Sequence, residues 1–214
     1  MPRDIMRERG GEISRPTQTE VLRFAEIFRI QRSNRLSDIN GKSEAMMAIP
    51  DDELQRRLVI AKPEEITHIG LVGDTYTILL RGADTAGRYC LIDMHVPPGG
   101  GPPPHRHDFE ETFSVLEGEV EMTFRGEKAI AKAGETVHIP AGAPHQFHNV
   151  SGKAARLLCI CAPAGQERFF EEVGVRVSTR TTPPPEMDAA TVGAFRKKAE
   201  DLAPKYRTEL LREA

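Results

Sequence analysis

The chain has 214 residues, enough for one domain with extensions or for two small ones. Its 29 Lys and Arg against 32 Asp and Glu leave a net charge of −3, without the basic excess of a nucleic-acid-binding domain, and no apolar run approaches the about 20 residues that a membrane-spanning helix needs. The 18 glycines and 16 prolines break the chain often, and six of the seven histidines fall between residues 95 and 148.

Residues 1–16 read MPRDIMRERGGEISRP and show neither periodicity nor the apolar core of a secretory signal, so an extended or disordered arm and a cytoplasmic location are expected. Thr17-Gln18-Thr19-Glu20 has the capping-box pattern. Val21, Phe24, Ala25 and Phe28 then recur at helical spacing, so the pattern predicts a helix over about 18–36, stopped by Asn40-Gly41. Arg29, Arg32 and Arg35 sit near its end, where cations complement the helix dipole. A second, short helix carrying Leu54 and Leu58 is expected after Pro50.

From Ile66 the period changes. The segments TYTILLRG, RYCLIDMHV, TFSVLEG, EVEMTFRG, ETVHIP, HQFHNV and ARLLCICA are short, rich in β-branched and aromatic residues, and mostly separated by Gly, Pro, Asp or Asn. With no long helix between them they predict an antiparallel sandwich or barrel and exclude a βαβ fold. Charge follows the same division: residues 66–162 hold 19 charged side chains in 97 positions, the remaining 117 positions hold 42. After Ala162 helical spacing returns with Phe169, Phe170 and Val173. Pro183-Pro184-Pro185 is a stiff connector, and Val192, Phe195, Ala199, Leu202 and Tyr206 predict a last helix interrupted at Pro204. The three cysteines are too few for a disulfide scaffold. Cys159 and Cys161 share one face of a strand, where free Cys acts as a small hydrophobe.

The chemistry concentrates in two segments, GGGPPPHRHDFEETFSVLEG (99–118) and GETVHIPAGAPHQFHN (134–149). On a strand, His105 and His107 point to one face, and Glu111 joins them if the alternation persists. His145 comes from a separate strand after a turn at Pro140-Ala141-Gly142. Three imidazoles and a carboxylate suit a first-row divalent ion. Phe113 and Val115 share the parity of Glu111, and Phe147 that of His145, so these three are expected to line the pocket. Glu110, His138 and His148 have the wrong parity for ligands. His68 reads as a surface or strand residue. Asp93 and His95 share a face that is read as solvent-exposed, with a supporting role behind the ligands as the alternative.

Gly99, His105, His107, Glu111 and Gly118, and after fifteen intervening residues Gly134, Pro140, Gly142, His145 and Asn149, resemble the two motifs of the cupin superfamily in identity and spacing. The resemblance implies a double-stranded β-helix, or jelly-roll, barrel over residues 61–165, flanked by helical extensions over 1–60 and 166–214. It also implies a metal held by His105, His107, Glu111 and His145, with Asn149 pinning backbone. The metal would be divalent Fe, Mn, Ni, Cu or Zn.

The stretch GGGPPPHRHDFEETFSVLEGEVEMTFRGE is similar to small bacterial cupins of the quercetin 2,3-dioxygenase-like group. That likeness implies a homodimeric, metal-dependent dioxygenase. Its substrates would be O2 and a flavonol-like or other small enolised aromatic molecule, with Glu111 as ligand and, on release, as base. The alternatives are another metal-dependent small-molecule enzyme (a lyase, isomerase or decarboxylase) and a non-enzymatic small-molecule sensor. Neither nucleic acid nor membrane is expected as a partner.

Overall fold

The computed structural model describes residues 52–212 except Val72. The helix expected over 18–36, with Arg29, Arg32 and Arg35, lies outside the described residues. In chain order the strands are β1 (His68–Leu71), β2 (Asp74–Leu80), β3 (Cys90–Val96), β4 (His105–His107), β5 (Glu110–Glu117), β6 (Glu119–Phe124), β7 (Glu127–Lys132), β8 (Thr136–Ile139), β9 (His145–His148) and β10 (Ala155–Ala162). Helix α1 (Gln166–Val173), β11 (Val175–Val177), helix α2 (Ala189–Leu202) and β12 (Thr208–Leu210) complete the chain.

Every strand pairing is antiparallel. One sheet has the order β11-β1-β2-β3-β10-β5-β8, the other β12-β4-β9-β6-β7. The two enclose a core that alternation builds: Ala155, Leu157, Cys159 and Cys161 of β10 are buried, as are Glu111, Phe113 and Val115 of β5 and Val120 and Met122 of β6. Arg125 and Gly126 both adopt positive φ and make the tight turn between β6 and β7, the conformation that two-residue hairpins favour.

Two expectations change. Residues 53–56 form a single turn closed by Arg56 N–H to Glu53 O at 2.8 Å, not a helix. Leu54 and Leu58 are 85% and 87% exposed, so no packing offsets the cost of nucleating a helix. The segment after residue 165 holds strands as well as helices: β11 extends one sheet beside β1, and β12 extends the other beside β4. At three residues each, these strands are too short to impose a period on the sequence.

The prolines after Thr182 run along β1 and β2. Thr75 Oγ1–H donates to Thr182 O at 2.7 Å, and a Cβ at Gly70 would lie 2.8 Å from Pro184 Cβ. Asp188 caps α2 by accepting from Thr191 N–H at 2.7 Å. Buried Glu167 accepts from the amides of Gly82 and Gly165, which ties the start of α1 to the β2–β3 loop. Phe169, Phe170 and Val173 of α1 are thereby pressed into the core, each worth about 1.5–3 kcal/mol of burial. Among the described residues no helix is long and apolar enough to cross a membrane.

Candidate metal centre

His105 of β4 lies directly opposite His145 of β9, and alternation places His107 on the same side of β4. Glu111 enters from β5 in the other sheet. All four are buried, and their ligand atoms lie within 4.8 Å of one another.

Each imidazole is oriented from behind. The Nδ1–H of His105 donates to Pro103 O at 2.9 Å, that of His107 to Phe109 O at 2.8 Å, and that of His145 to Ala143 O at 2.9 Å. The His107 ring also stacks on Phe109, centroids 3.7 Å apart. A backbone carbonyl can only accept, so these bonds fix the Nδ1–H tautomer and leave the Nε2 lone pairs facing inward. The Nε2 atoms of His107 and His145 each lie 3.1 Å from Glu111 Oε2. Three lone-pair atoms therefore converge, and only positive charge between them makes the arrangement favourable, whether a proton on an imidazole or a cation. The donor set fits a divalent transition metal.

Burial alone would raise the Glu111 carboxyl, but when the Nε2 atoms of His107 and His145 carry protons their hydrogen bonds and charge outweigh it and hold it well below the usual range. Burial and then the neighbouring His145 lower His105 to about 4, which keeps its ring neutral. The other Glu111 oxygen, Oε1, meets the Sγ atoms of Cys159 at 3.3 Å and Cys161 at 3.6 Å. Against the pull of its hydrogen bond to Cys161, burial and the Glu111 charge push the Cys159 thiol up to about 12.

The centre opens on a cavity of about 80 Å³. Tyr76, Met94, Phe113 and Phe147 line it from the barrel, and Phe169, Phe170, Phe195 and Leu210 close it from the C-terminal segment. Its polar wall consists of His105, Glu111, Gln166 and Thr208. Val115 is buried in the core and does not line this cavity.

Glu110 points away from the centre to His138, Oε2 to Nε2 3.0 Å. His148 is exposed, and buried His68 bonds Thr77 Oγ1 through Nδ1 at 2.8 Å. Asp93 and His95 leave β3 on the side opposite the centre. The solvent-exposed reading fails for Asp93, which is 1% exposed and forked by Arg156 at 2.7–3.2 Å. Asn149 pins backbone as expected: its amide donates to Val96 O and Lys153 O, and Oδ1 accepts from Ser151. Sequence reasoning did not find Tyr76, Phe109, the thiol contacts or the C-terminal cap. The shared parity of Cys159 and Cys161 was a signal for the thiols, and the apolar stripe over 192–206, able to fold back on the barrel, was one for the cap.

The chain is 35% identical over 77 residues to an uncharacterized protein of Methanocaldococcus jannaschii, covering 36% of this chain and 62% of that protein. It is 26% identical over 106 residues to the quercetin 2,3-dioxygenase of Bacillus subtilis, covering 49% of this chain and 31% of that protein. The match therefore spans less than two thirds of either relative. The solved polyketide cyclase RemF of Streptomyces resistomycificus is similar with a TM-score of 0.45 and 26% identity, over 50% of this chain and 80% of that one. A cupin-domain family profile matches residues 92–161, from the middle of β3 to the end of β10. That stretch, a third of the chain, contains both motifs and all four converging side chains and is a cupin domain.

Proposed function

We propose that His105, His107, Glu111 and His145 hold a divalent transition metal, and that the protein is a dioxygenase using O2 on a small enolised substrate. The observation that carries this reading is the buried three-histidine, one-carboxylate cluster opening on a small, mainly apolar cavity. The likeness to a quercetin 2,3-dioxygenase supports the choice of reaction. Bound there, the metal supplies Lewis acidity and a template for the reacting groups.

The chain's own residues do the rest. The three backbone carbonyls keep the imidazole lone pairs aimed inward. Phe113, Phe147 and the aromatic residues of α1 exclude water, which strengthens every charge interaction inside. Gln166 and Thr208 offer uncharged polar side chains to a substrate beside the metal ligands. Both Glu111 oxygens are engaged, one by imidazoles and one by thiols, which favours a ligand role over release as a base. A cavity of about 80 Å³ is far below the about 300 Å³ of an ordinary small-molecule pocket. It therefore favours a compact substrate, and a flavonol requires the C-terminal segment to move aside.

Elemental analysis of untagged protein tests the centre. One metal per chain is expected, lost in His107→Ala with a weakening beyond the about 10–100-fold typical of outer partners. Stoichiometric metal in that variant would falsify the ligand assignment. O2 uptake with a panel of enolisable substrates tests the reaction. Turnover of such a substrate without O2 consumption would reassign the protein to the lyases, isomerases or decarboxylases.

A further inference from the structure

All three cysteines are buried, and all lie on strands next to Glu111 or one strand further. Cys161 of β10 sits directly between Cys90 on β3 and Glu111 on β5, and Cys159 follows two residues earlier on the same face. The Sγ atoms of Cys159 and Cys161 are 3.6 Å apart and both reach Glu111 Oε1. The carboxylate is thus divided, with Oε2 among the imidazoles and Oε1 among the sulfurs. An ionised carboxylate only accepts hydrogen bonds, so the sulfur contacts are S–H donations.

The division has a consequence for ligation. A carboxylate with both oxygens unengaged can rotate, or present one oxygen or two to an ion. Alanine or valine in place of the cysteines would leave a buried charged oxygen without a partner, which is costly. A thiol is a weak donor and satisfies Oε1 at little loss of negative charge on the ligating oxygen.

We propose that Cys159 and Cys161 are positioning residues of the metal centre: their thiols hold Glu111 by Oε1 so that Oε2 alone faces His105, His107 and His145. This rests on the four residues being a metal centre. It gives the cysteines a task that an inert strand face would not have.

The test uses the full chain with Co2+ as the probe. Replacing both cysteines by alanine is expected to weaken Co2+ binding about tenfold and to change the d–d spectrum, which reports the geometry of ligation. Replacing both by serine, which still donates, is expected to restore spectrum and affinity. In the metal-free protein, the infrared S–H stretching band is expected to move to higher frequency on Glu111→Gln, because the amide is a weaker acceptor.

Unchanged Co2+ affinity and spectrum in the alanine variant would overturn the proposal. So would an S–H band indifferent to Glu111→Gln, or failure of the serine variant to restore the spectrum. A thiolate-to-cobalt charge-transfer band would do so as well, by making the sulfurs ligands. Wild-type protein that takes up no Co2+ overturns the metal reading and the positioning role with it, while the infrared band still decides whether the thiol–carboxylate contact exists.

Discussion

Asp74 is fully buried at the start of β2. Its Oδ2 accepts from Tyr76 O–H at 3.0 Å, and its Oδ1 has no hydrogen-bond partner among the described residues. Burial raises this carboxyl to about 8, against the pull of the Tyr76 bond. The folded chain therefore keeps the proton while the unfolded chain releases it near pH 4, so the stability it contributes is complete below about pH 4 and is lost as the pH rises to about 8. Thermal melting of Asp74→Asn beside the parent checks this: the difference should shift in favour of the variant across that window and stay flat above it.

The same corner depends on its glycines. At Gly101, φ is +135° and a Cβ would lie 2.1 Å from Phe147 O, so only glycine lets the loop before β4 pass over β9. The four converging residues were legible in the sequence because strand alternation and the distance between the two motifs encode them locally. The thiol contacts were not, because register between strands far apart in sequence supplies them, and the Asp74–Tyr76 pair was not, because nothing local shows that both side chains are buried.

At the scale of elements, β3 and β10 are joined on their outer side by a buried carboxylate. Asp93 takes a fork from Arg156, and Arg180 approaches to 3.8 Å from the segment between β11 and α2. Removing the fork by Arg156→Ala leaves Asp93 buried and poorly paired. A fully buried pair broken this way costs about 3–5 kcal/mol. Because Arg156 is about a third exposed, about 2 kcal/mol is expected after solvent screening. Denaturant unfolding checks the value, and adding Asp93→Asn should recover part of the loss.

The long strands β2, β3, β5, β6 and β10 were legible from composition and alternation. The last helix was legible from its apolar stripe, and it begins at Ala189, close to where that stripe starts. Strands β11 and β12 were not, since three residues carry no usable period and only the edges they pair with select them.

At the scale of the whole molecule, a barrel core of low charge carries the centre, and the chain after β10 closes the mouth of the cavity. Metal bound to the folded state alone stabilises it by mass action, about 2.7 kcal/mol at a free concentration 100 times Kd. For a chain of this size that corresponds to about 5–10 °C in Tm. Treatment with a chelator is expected to lower Tm by that amount in the parent and to leave His107→Ala unchanged, as differential scanning calorimetry would read.

Strand β12 pairs with β4 over its whole length, Thr208 with His107 and Leu210 with His105, whereas β9 meets β4 at the single pair His105–His145. The strand that bears two of the imidazoles is thus moored chiefly by β12. Ion occupancy and tail docking are then linked equilibria. Whatever free energy the docked tail adds to ion binding, the ion returns to the tail, so the far end of the chain carries a report of whether the barrel is loaded.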